Sequence, residues 1–217
     1  MIKLGISTSS ECASMALEVK GNNFQIPFFK NTSPVCESLV KHLEELLKHF
    51  KIKVSSLNAI AVDTGPGSFT GLRIGIATAN ALGVGLNIPV KGFSSLDLLA
   101  VQFRRLNPQV KEPFYAAINA GRGEVYYAKY KPFSKMKFRR VEKDSLKQTD
   151  LFVQEIGGSF LIQSGLNDLC PKSQPGYPEA LDALTLMEKI PSVQRRYAHP
   201  NYVRLPDAEI NYRKKKS

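Results

Sequence analysis

A glycine-rich segment at residues 63–75 carries the residue types that most directly suggest chemistry. It reads Asp-Thr-Gly-Pro-Gly-Ser-Phe-Thr-Gly-Leu-Arg-Ile-Gly and follows an apolar run at 58–62 that is typical of a buried strand. A strand, a glycine-rich turn and a helix N-terminus together can hold a phosphate group. The hydroxyl-rich turn after the first predicted strand could supply further phosphate ligands. The candidate nucleotide-loop residues are therefore Ser7, Thr8, Ser9, Gly65 and Gly67.

The known phosphate-binding motifs do not fit this segment. A Walker loop needs Lys and then Ser or Thr after its last glycine, whereas Leu72 and Arg73 follow Gly71. The dinucleotide-binding fingerprint has Thr70 at its third glycine position, and three predicted strands precede the segment instead of none. The segment is therefore either a different kind of anion site or a structural element.

The residues that follow, 69–86, predict a helix with two stripes of small side chains. The first stripe is Gly71, Gly75, Ala79 and Gly83, and the second is Ala77, Ala81 and Gly85. Each interior glycine costs about 1 kcal/mol relative to alanine, and close approach by another element is the usual compensation. Because the helix is apolar nearly all round, it is expected to be buried. Two interpretations stay open here: an internal crossover helix, or a helix that faces a partner.

Composition and spacing argue against several other classes of protein. The chain has 217 residues, of which 43% are hydrophobic and 23% charged, as in ordinary globular proteins. No apolar run reaches the length of a membrane span and no signal-peptide core is evident, so we expect a cytoplasmic protein without a membrane partner. Three cysteines far apart suit reduced thiols. His42 and His49 would lie about 10.5 Å apart along a helix, too far to share one ion. We expect no metal, no cofactor and no catalytic residue.

Net charge is +11 and unevenly distributed. The basic excess is concentrated between Lys129 and Lys147 and in the run Arg213-Lys214-Lys215-Lys216. Such a distribution attracts polyanions, and it predicts a contact with tRNA through the basic C-terminal half. A solvated or disordered tail explains the same charges equally well. No RNA-binding motif with stacked aromatic residues is evident in the sequence.

The order of predicted elements indicates the fold. Strands at 2–6, 13–20 and 24–29 precede a helix at 35–50 that begins after Ser33-Pro34. A strand at 58–62, the helix at 69–86, a strand at 88–91 and a helix from Ser94 through 103 follow. This βββαβαβα order resembles one ribonuclease-H-like lobe of the actin-type ATPases. Strands at 114–119 and 124–131 begin a second, shorter half, with a helix at 178–190. We expect an α/β, two-lobed actin-like fold with mixed sheets flanked by helices, divided into residues 1–103 and a reduced lobe at 104–217.

Residues 65–75 resemble the signature of the TsaB (YeaZ) family, bacterial subunits needed to form threonylcarbamoyladenosine beside the tRNA anticodon. Weaker matches lie at Ile6-Ser7-Thr8-Ser9, at Ile118-Asn119-Ala120 with Gly123-Glu124-Val125-Tyr126, and at Pro200-Asn201-Tyr202-Val203-Arg204. The resemblance covers essentially the full length and is strongest over 58–93. It implies a non-catalytic scaffold that activates a homologous transferase, TsaD, beside an ATPase, TsaE.

The resemblance also implies a partner surface on the two N-lobe helices. It would bind the TsaD homologue, and a second copy of the chain when TsaD is absent. The residues that the family implies for this surface are Leu39, Leu43, Leu46, Phe69, Gly71, Leu72, Gly75, Ala79 and Asn80. On this mapping, Gly75→Leu would abolish association with the TsaD homologue while the chain stays folded.

Two departures from the family pattern bear on catalysis. An actin-type ATPase needs an acidic residue at the end of its first strand to organise metal and phosphate, and here that residue is Ser7. Asn119 replaces the corresponding aspartate of the second lobe. Both changes remove charge that a metal–nucleotide complex requires. Independent ATP chemistry is therefore not expected, although a nucleotide-binding ATPase or kinase and a solitary RNA-binding module remain the alternative hypotheses.

Overall fold

A computed structural model describes residues 1–29, 35–134, 137–167, 169–189 and 197–204 of the chain. The predicted helix start at Ser33-Pro34 and the basic run at Arg213-Lys214-Lys215-Lys216 lie outside these ranges.

The first lobe is a five-stranded mixed sheet with helices on both faces. Its elements are β1 (Ile2–Ser7), β2 (Cys12–Val19), β3 (Asn22–Phe29), α1 (Val35–His49), β4 (Ala59–Asp63), α2 (Phe69–Leu86), β5 (Val90–Phe93) and α3 (Ser95–Leu106). The strand order is β3-β2-β1-β4-β5, with β1 antiparallel to β2 and parallel to β4. The predicted order of elements is confirmed, and β5 begins two residues later than the sequence pattern suggested.

The second lobe repeats the start of this plan in reduced form. Its elements are β6 (Phe114–Gly121), β7 (Glu124–Pro132), β8 (Phe138–Arg140), β9 (Ser145–Gln148), α4 (Thr149–Ile156), β10 (Phe160–Ser164), β11 (Ser173–Pro175) and α5 (Ala180–Lys189). The strand order is β11-β10-β6-β7-β8, and β9 also pairs with β7. The predicted mixed α/β fold with two sheets flanked by helices is therefore confirmed.

Apolar side chains divide the molecule into layers. α1 and α2 cover one face of the first sheet, because their leucines and small residues point at Leu4, Ile60 and Val62. α3 lies between the sheets, where Phe103 stacks on Phe114 of β6 at a ring distance of 4.2 Å. α4 covers the outer face of the second sheet through Phe152.

The end of the chain returns to the first lobe, so a single cut at residue 103 does not separate two independent units. α5 packs on the open face of the first sheet against Ala16 and Ala61. A Cβ added at Gly5 of β1 would lie 2.5 Å from the carbonyl oxygen of Ala180, so the helix backbone approaches the strand closely. Residues 1–103 alone would leave this apolar face uncovered.

Candidate functional site

The glycine-rich loop after β4 folds back against the end of β1. Ser68 caps α2, since its Oγ accepts a hydrogen bond from the amide of Gly71 at 3.3 Å. The Ser68 amide donates to the carbonyl oxygen of Ser9 at 2.6 Å. A Cβ at Gly67 would lie 2.5 Å from that same oxygen, which explains why glycine is needed there. The loop is therefore closed by the chain's own backbone.

A buried carboxylate, Asp63, organises the hydroxyl groups beside this loop. Ser7 Oγ donates to Asp63 at 2.8 Å, and the hydroxyls of Ser9 and Ser95 bind the same carboxylate. The amide of Gly65 donates to it at 3.0 Å. The side chains of Ser7 and Ser9 are buried and bind Asp63, which gives them a structural role here, while their role in a nucleotide loop stays a prediction.

The protonation of Asp63 follows from the same contacts. Burial raises the pKa of the Asp63 carboxyl, and the hydrogen bonds from Ser9, Ser95, Gly65 and Ser7 oppose that rise. Ser7 Oγ has one proton but lies within hydrogen-bond distance of two acceptors, Asp63 and the carbonyl oxygen of Pro178 at 2.6 Å. The single hydroxyl proton of Ser7 therefore serves one of these two acceptors at a time. The sequence pattern was not used to assign a role to Asp63. An acidic residue at the end of a fully apolar strand was the feature that could have indicated a buried carboxylate there.

The inner stripe of α2 packs against the chain's own first lobe. Thr8 Oγ1 donates to the carbonyl oxygen of Gly71 at 2.8 Å, and a Cβ at Gly75 would lie 2.2 Å from that oxygen of Thr8. The predicted close approach exists, but it is intramolecular. Leu39, Leu43, Leu46, Gly71, Leu72, Gly75 and Ala79 are buried in the described chain, and their assignment as partner-contacting residues stays a prediction.

The second stripe of α2 forms the opposite, exposed face. Ala77, Ala81 and Gly85 are exposed, and no atom lies within 4 Å of a Cβ placed at Gly85. Val84 on the same face is 59% exposed. We name this surface the outer face of α2.

In the described residues, α2 is the one helix long and apolar enough to cross a membrane by composition, but its inner stripe belongs to the core of the first lobe.

Residues 197–204, the C-terminal segment, run along one side of α2. Asn80 Nδ2 donates to the carbonyl oxygen of Ala198 at 2.9 Å, and the Ala198 amide donates to Asn80 Oδ1 at 2.8 Å. The rings of Phe69 and Tyr202 pack together with their centroids 5.0 Å apart. The guanidinium carbon of Arg73 lies over the Phe69 ring, 3.9 Å from its centroid. Asn80 and Phe69 therefore hold the chain's own C-terminal segment, and their role as direct partner contacts stays a prediction.

Replacing Asn80 with alanine should loosen the C-terminal segment. The amide and the carbonyl group of Ala198 would lose their hydrogen-bond partners. Each of the two that water does not reach lowers the free energy of unfolding by about 1–3 kcal/mol. Amide hydrogen exchange at Ala198 should accelerate while exchange in β1 and β4 stays slow. Unchanged exchange at Ala198 would contradict this role, and Asn23→Ala, an exposed asparagine in β3, is the matched control.

A polar cleft of about 410 Å³ lies between the two lobes. Ser9, Ser10, Glu11, Gly67 and Ser68 line it from the first lobe, and Asn119, Gly121 and Ser164 are among its residues from the second. Among the described residues that line the cleft, Glu11 is the one ionic side chain, so this lining supplies no cation for phosphate groups. Asn119 is engaged in backbone contacts, since it donates to Gly165 and accepts from the Gly121 amide.

The described residues do not fit the metal and nucleotide of an actin-type ATPase. No group of three His, Cys, Asp or Glu side chains comes together within the described ranges. His42 lies on α1, away from the cleft, with its Nδ1 at 2.6 Å from the carbonyl oxygen of Ser38. Asp63, the carboxylate nearest the glycine-rich loop, is fully buried and already bound by three hydroxyls.

Comparisons with known proteins agree with the fold and the motifs. The model of the family described as "TsaD: tRNA N6-adenosine threonylcarbamoyltransferase" matches residues 36–156. A "tRNA threonylcarbamoyladenosine biosynthesis protein TsaB" of Escherichia coli (strain K12) is 35% identical over 130 residues, covering 58% of this chain and 54% of the relative. The TsaB of Buchnera aphidicola subsp. Schizaphis graminum is 34% identical over 132 residues, covering 59% and 60%.

Two solved structures from Pseudomonas aeruginosa are similar over most of the chain. The one described as YeaZ is 26% identical with a TM-score of 0.73, covering 87% of this chain and 91% of its own. The other, described as an uncharacterized protein with similarity to peptidase YEAZ, is 25% identical with a TM-score of 0.78, covering 94% and 99%. The chain spans about half the length of the curated relatives that it matches.

The family match covers more than half of the chain and includes the glycine-rich loop, α2 and the start of the second lobe. The resemblance noted in the sequence is therefore confirmed by independent similarity in sequence and in fold. The chain belongs to the family of TsaD, tRNA N6-adenosine threonylcarbamoyltransferase, and its named homologues described above are TsaB (YeaZ) proteins.

Proposed function

We propose that this chain is an accessory subunit for the formation of N6-threonylcarbamoyladenosine in tRNA, and that it binds a TsaD homologue through the outer face of α2. The TsaB relatives are described as tRNA threonylcarbamoyladenosine biosynthesis proteins, which supports the pathway. A reaction on tRNA would place the protein in the cytoplasm. A TsaE homologue would join the same assembly, and a second copy of the chain would occupy the surface when TsaD is absent.

The exposed outer face of α2 is the observation that carries the proposal. Small residues at positions 77, 81 and 85 let another helix approach the backbone closely, and Val84 projects from the same face. Arg73 is the only charged residue in the whole helix. Exposed apolar surface of this kind marks interaction sites in soluble proteins. Val40 of α1 is also exposed.

The chemistry of the interlobe cleft supports an accessory role over an enzymatic one. A nucleotide-binding ATPase or kinase needs cations around the phosphates and carboxylates around a metal. The cleft supplies one carboxylate, Glu11, and its lining includes no lysine or arginine. The alternative hypothesis of an actin-type ATPase or kinase is therefore not favoured.

Replacing Val84 with aspartate should weaken binding to the TsaD homologue. A charge buried at the centre of an apolar helix contact has no partner, and such losses commonly exceed tenfold, or about 1.4 kcal/mol. The measurement is the Kd for the TsaD homologue by isothermal titration calorimetry, together with tRNA modification by the mixed proteins. Both should decline.

Val54→Asp is the matched control, because Val54 is also an exposed valine of the first lobe but lies in a short turn away from α2. This variant should bind like the wild type. Both variants should unfold at the wild-type denaturant concentration, since neither side chain is buried. Wild-type affinity in Val84→Asp would exclude the outer face of α2 as the docking surface.

A further inference from the structure

The end of β7, the turn after it and β8 form a hairpin tip whose sequence is basic and contains no acidic residue. Residues 131–140 read Lys-Pro-Phe-Ser-Lys-Met-Lys-Phe-Arg-Arg. Arg140 turns inward to Asp97 and Asp144, whereas Lys131, Lys137 and Arg139 are exposed. The hairpin therefore presents cations to solvent on its own surface.

Two of these cations are placed where they oppose each other. Lys131 and Arg139 are direct partners in the antiparallel register of β7 and β8. Like charges in that position destabilise a sheet. Neither side chain forms an ion pair with another residue in the described part of the chain. An anionic ligand at this position would relieve a repulsion that the fold itself leaves in place.

An exposed aromatic ring lies at the tip of the same hairpin. Phe133 is 66% exposed, the most exposed aromatic side chain among the described residues. The tip is held by backbone hydrogen bonds, in which the Phe133 amide donates to Lys137 O at 3.1 Å and the Lys137 amide donates to Ser134 O at 3.3 Å. An exposed ring among cations, on a backbone held by hydrogen bonds, is the combination that stacks on unpaired bases of nucleic acids.

A cavity of about 380 Å³ adjoins the ring of Phe133. Pro132 and Val110 supply apolar walls, and Gln109 and Lys111 supply polar groups. Arg104, which is buried, fixes both sides of the cavity, because it donates to the carbonyl oxygens of Pro108 and Val110 in one loop and of Ser134 in the hairpin. The cavity is therefore formed before any ligand arrives.

We propose that this hairpin and its cavity bind single-stranded RNA, with a base against Phe133 and phosphates on the surrounding cations. The Gln109 amide can both donate to and accept from a base edge, and Lys111 stands beside it at the cavity. Glu112, the adjacent acid, is turned to the backbone amide of Lys111 at 3.0 Å. The sequence indicated the basic stretch between Lys129 and Lys147 but not the cavity, because the cavity's residues come from two segments that only the tertiary structure brings together.

The choice of RNA follows from the chemistry of the surface. An acidic protein segment would use the cations but has no need of an exposed ring beside a cavity, whereas every unpaired base offers a flat face to stack. The inference rests on the proposed function in one respect: a tRNA-modifying assembly presents such bases. Its test uses this chain alone and does not require the TsaD homologue.

The test measures binding of the full chain to a fluorescent oligouridine of about ten nucleotides by anisotropy, at salt concentrations from about 50 to 200 mM. Phe133→Ala should weaken binding about tenfold, since loss of one stacked base has an effect of this order. Lys131→Gln combined with Arg139→Gln should reduce the slope of log K against log salt by about 1.4, which is about 0.7 for each lost phosphate contact. Lys41→Gln combined with Lys53→Gln removes the same charge from exposed sites of the first lobe and should leave the slope unchanged.

Two results would overturn the inference. The first is an equal loss of oligouridine affinity in both double variants together with unchanged affinity in Phe133→Ala. That result would show that the interaction depends only on the net charge of the protein. The second is binding of polyglutamate of matched charge as tightly as oligouridine, which would assign the surface to an acidic protein. Loss of RNA binding in Phe133→Ala with an unchanged Kd for the TsaD homologue would show that the two surfaces act separately, so either proposal can fail without the other.

Discussion

Gly75→Leu is expected to unfold the first lobe rather than merely weaken a partner contact. The first added carbon would already lie 2.2 Å from Thr8 Oγ1, and leucine brings three more. Thr8 is fully buried and its hydroxyl donates to the carbonyl oxygen of Gly71, so it cannot rotate away without losing that bond. We expect a loss of at least about 3 kcal/mol, against a gain of about 1 kcal/mol from replacing a helix glycine. Urea unfolding followed by circular dichroism measures the difference.

Gly85→Leu is the matched control in the same helix. No atom lies within 4 Å of a Cβ at Gly85, so leucine there should leave the fold intact and add a few tenths to about 1 kcal/mol through helix propensity. The phenotype that spacing alone assigned to Gly75, a folded chain that no longer binds the TsaD homologue, is expected at Gly85 instead. Equal stability of the two variants would refute the assignment of the inner and outer faces.

Asp63→Ala is expected to have a comparable effect through hydrogen bonding. The hydroxyls of Ser9 and Ser95 and the amide of Gly65 would lose their shared acceptor inside the protein. Each buried donor left without a partner costs about 1–3 kcal/mol, so the total should exceed about 3 kcal/mol. That is a large part of the 5–15 kcal/mol that typically stabilises a domain. The loss is measured as a reduced free energy of unfolding.

Asp63→Asn separates hydrogen bonding from charge. Because burial raises the pKa of Asp63 above its ordinary 3.8, the folded state holds the proton more tightly than the unfolded state. The contribution of this group to stability is therefore fully present below pH 3.8 and is lost as pH rises through the raised pKa. Asparagine resembles the protonated acid, so this variant should stay folded at neutral pH and lack that part of the pH dependence. An identical pH dependence in wild type and Asp63→Asn would show that Asp63 does not titrate in this way.

The sequence by itself determined the elements of the first lobe and, in the second, the strands β6 and β7 and the helix α5, whereas β8, β9, α4, β10 and β11 were not predicted. Helical spacing of apolar residues, the cap at Ser94 and the glycine-rich turn before Phe69 are local signals, and α2 begins and ends where they predicted. The same signals, with the match at residues 65–75, identified the family. These features depend on neighbours within a few residues, so the amino-acid sequence of one protein is enough to predict them.

The sequence could not decide which stripe of α2 lies inside. Both stripes consist of small residues at intervals of four, and their spacing is equally compatible with burial and exposure. The choice depends on Thr8, which is 63 residues from Gly71 in the sequence but in contact with it in the fold. Contacts across such separations have no local pattern, and this is why the sequence left both stripes as candidates for the buried face.

The tertiary structure alone also decided what the polar residues do. Ser7 and Ser9 follow the first strand in a way that suggests phosphate binding, but the fold places Asp63, more than fifty residues away, beneath them. Arg104 likewise joins a loop to a hairpin tip thirty residues further along the chain and so shapes the cavity at Phe133. Local sequence patterns determine which residues can form a helix or a strand. The burial of each polar group and its hydrogen-bond partners are determined by residues distant in the sequence. Burial and partners together decide the chemistry of that group.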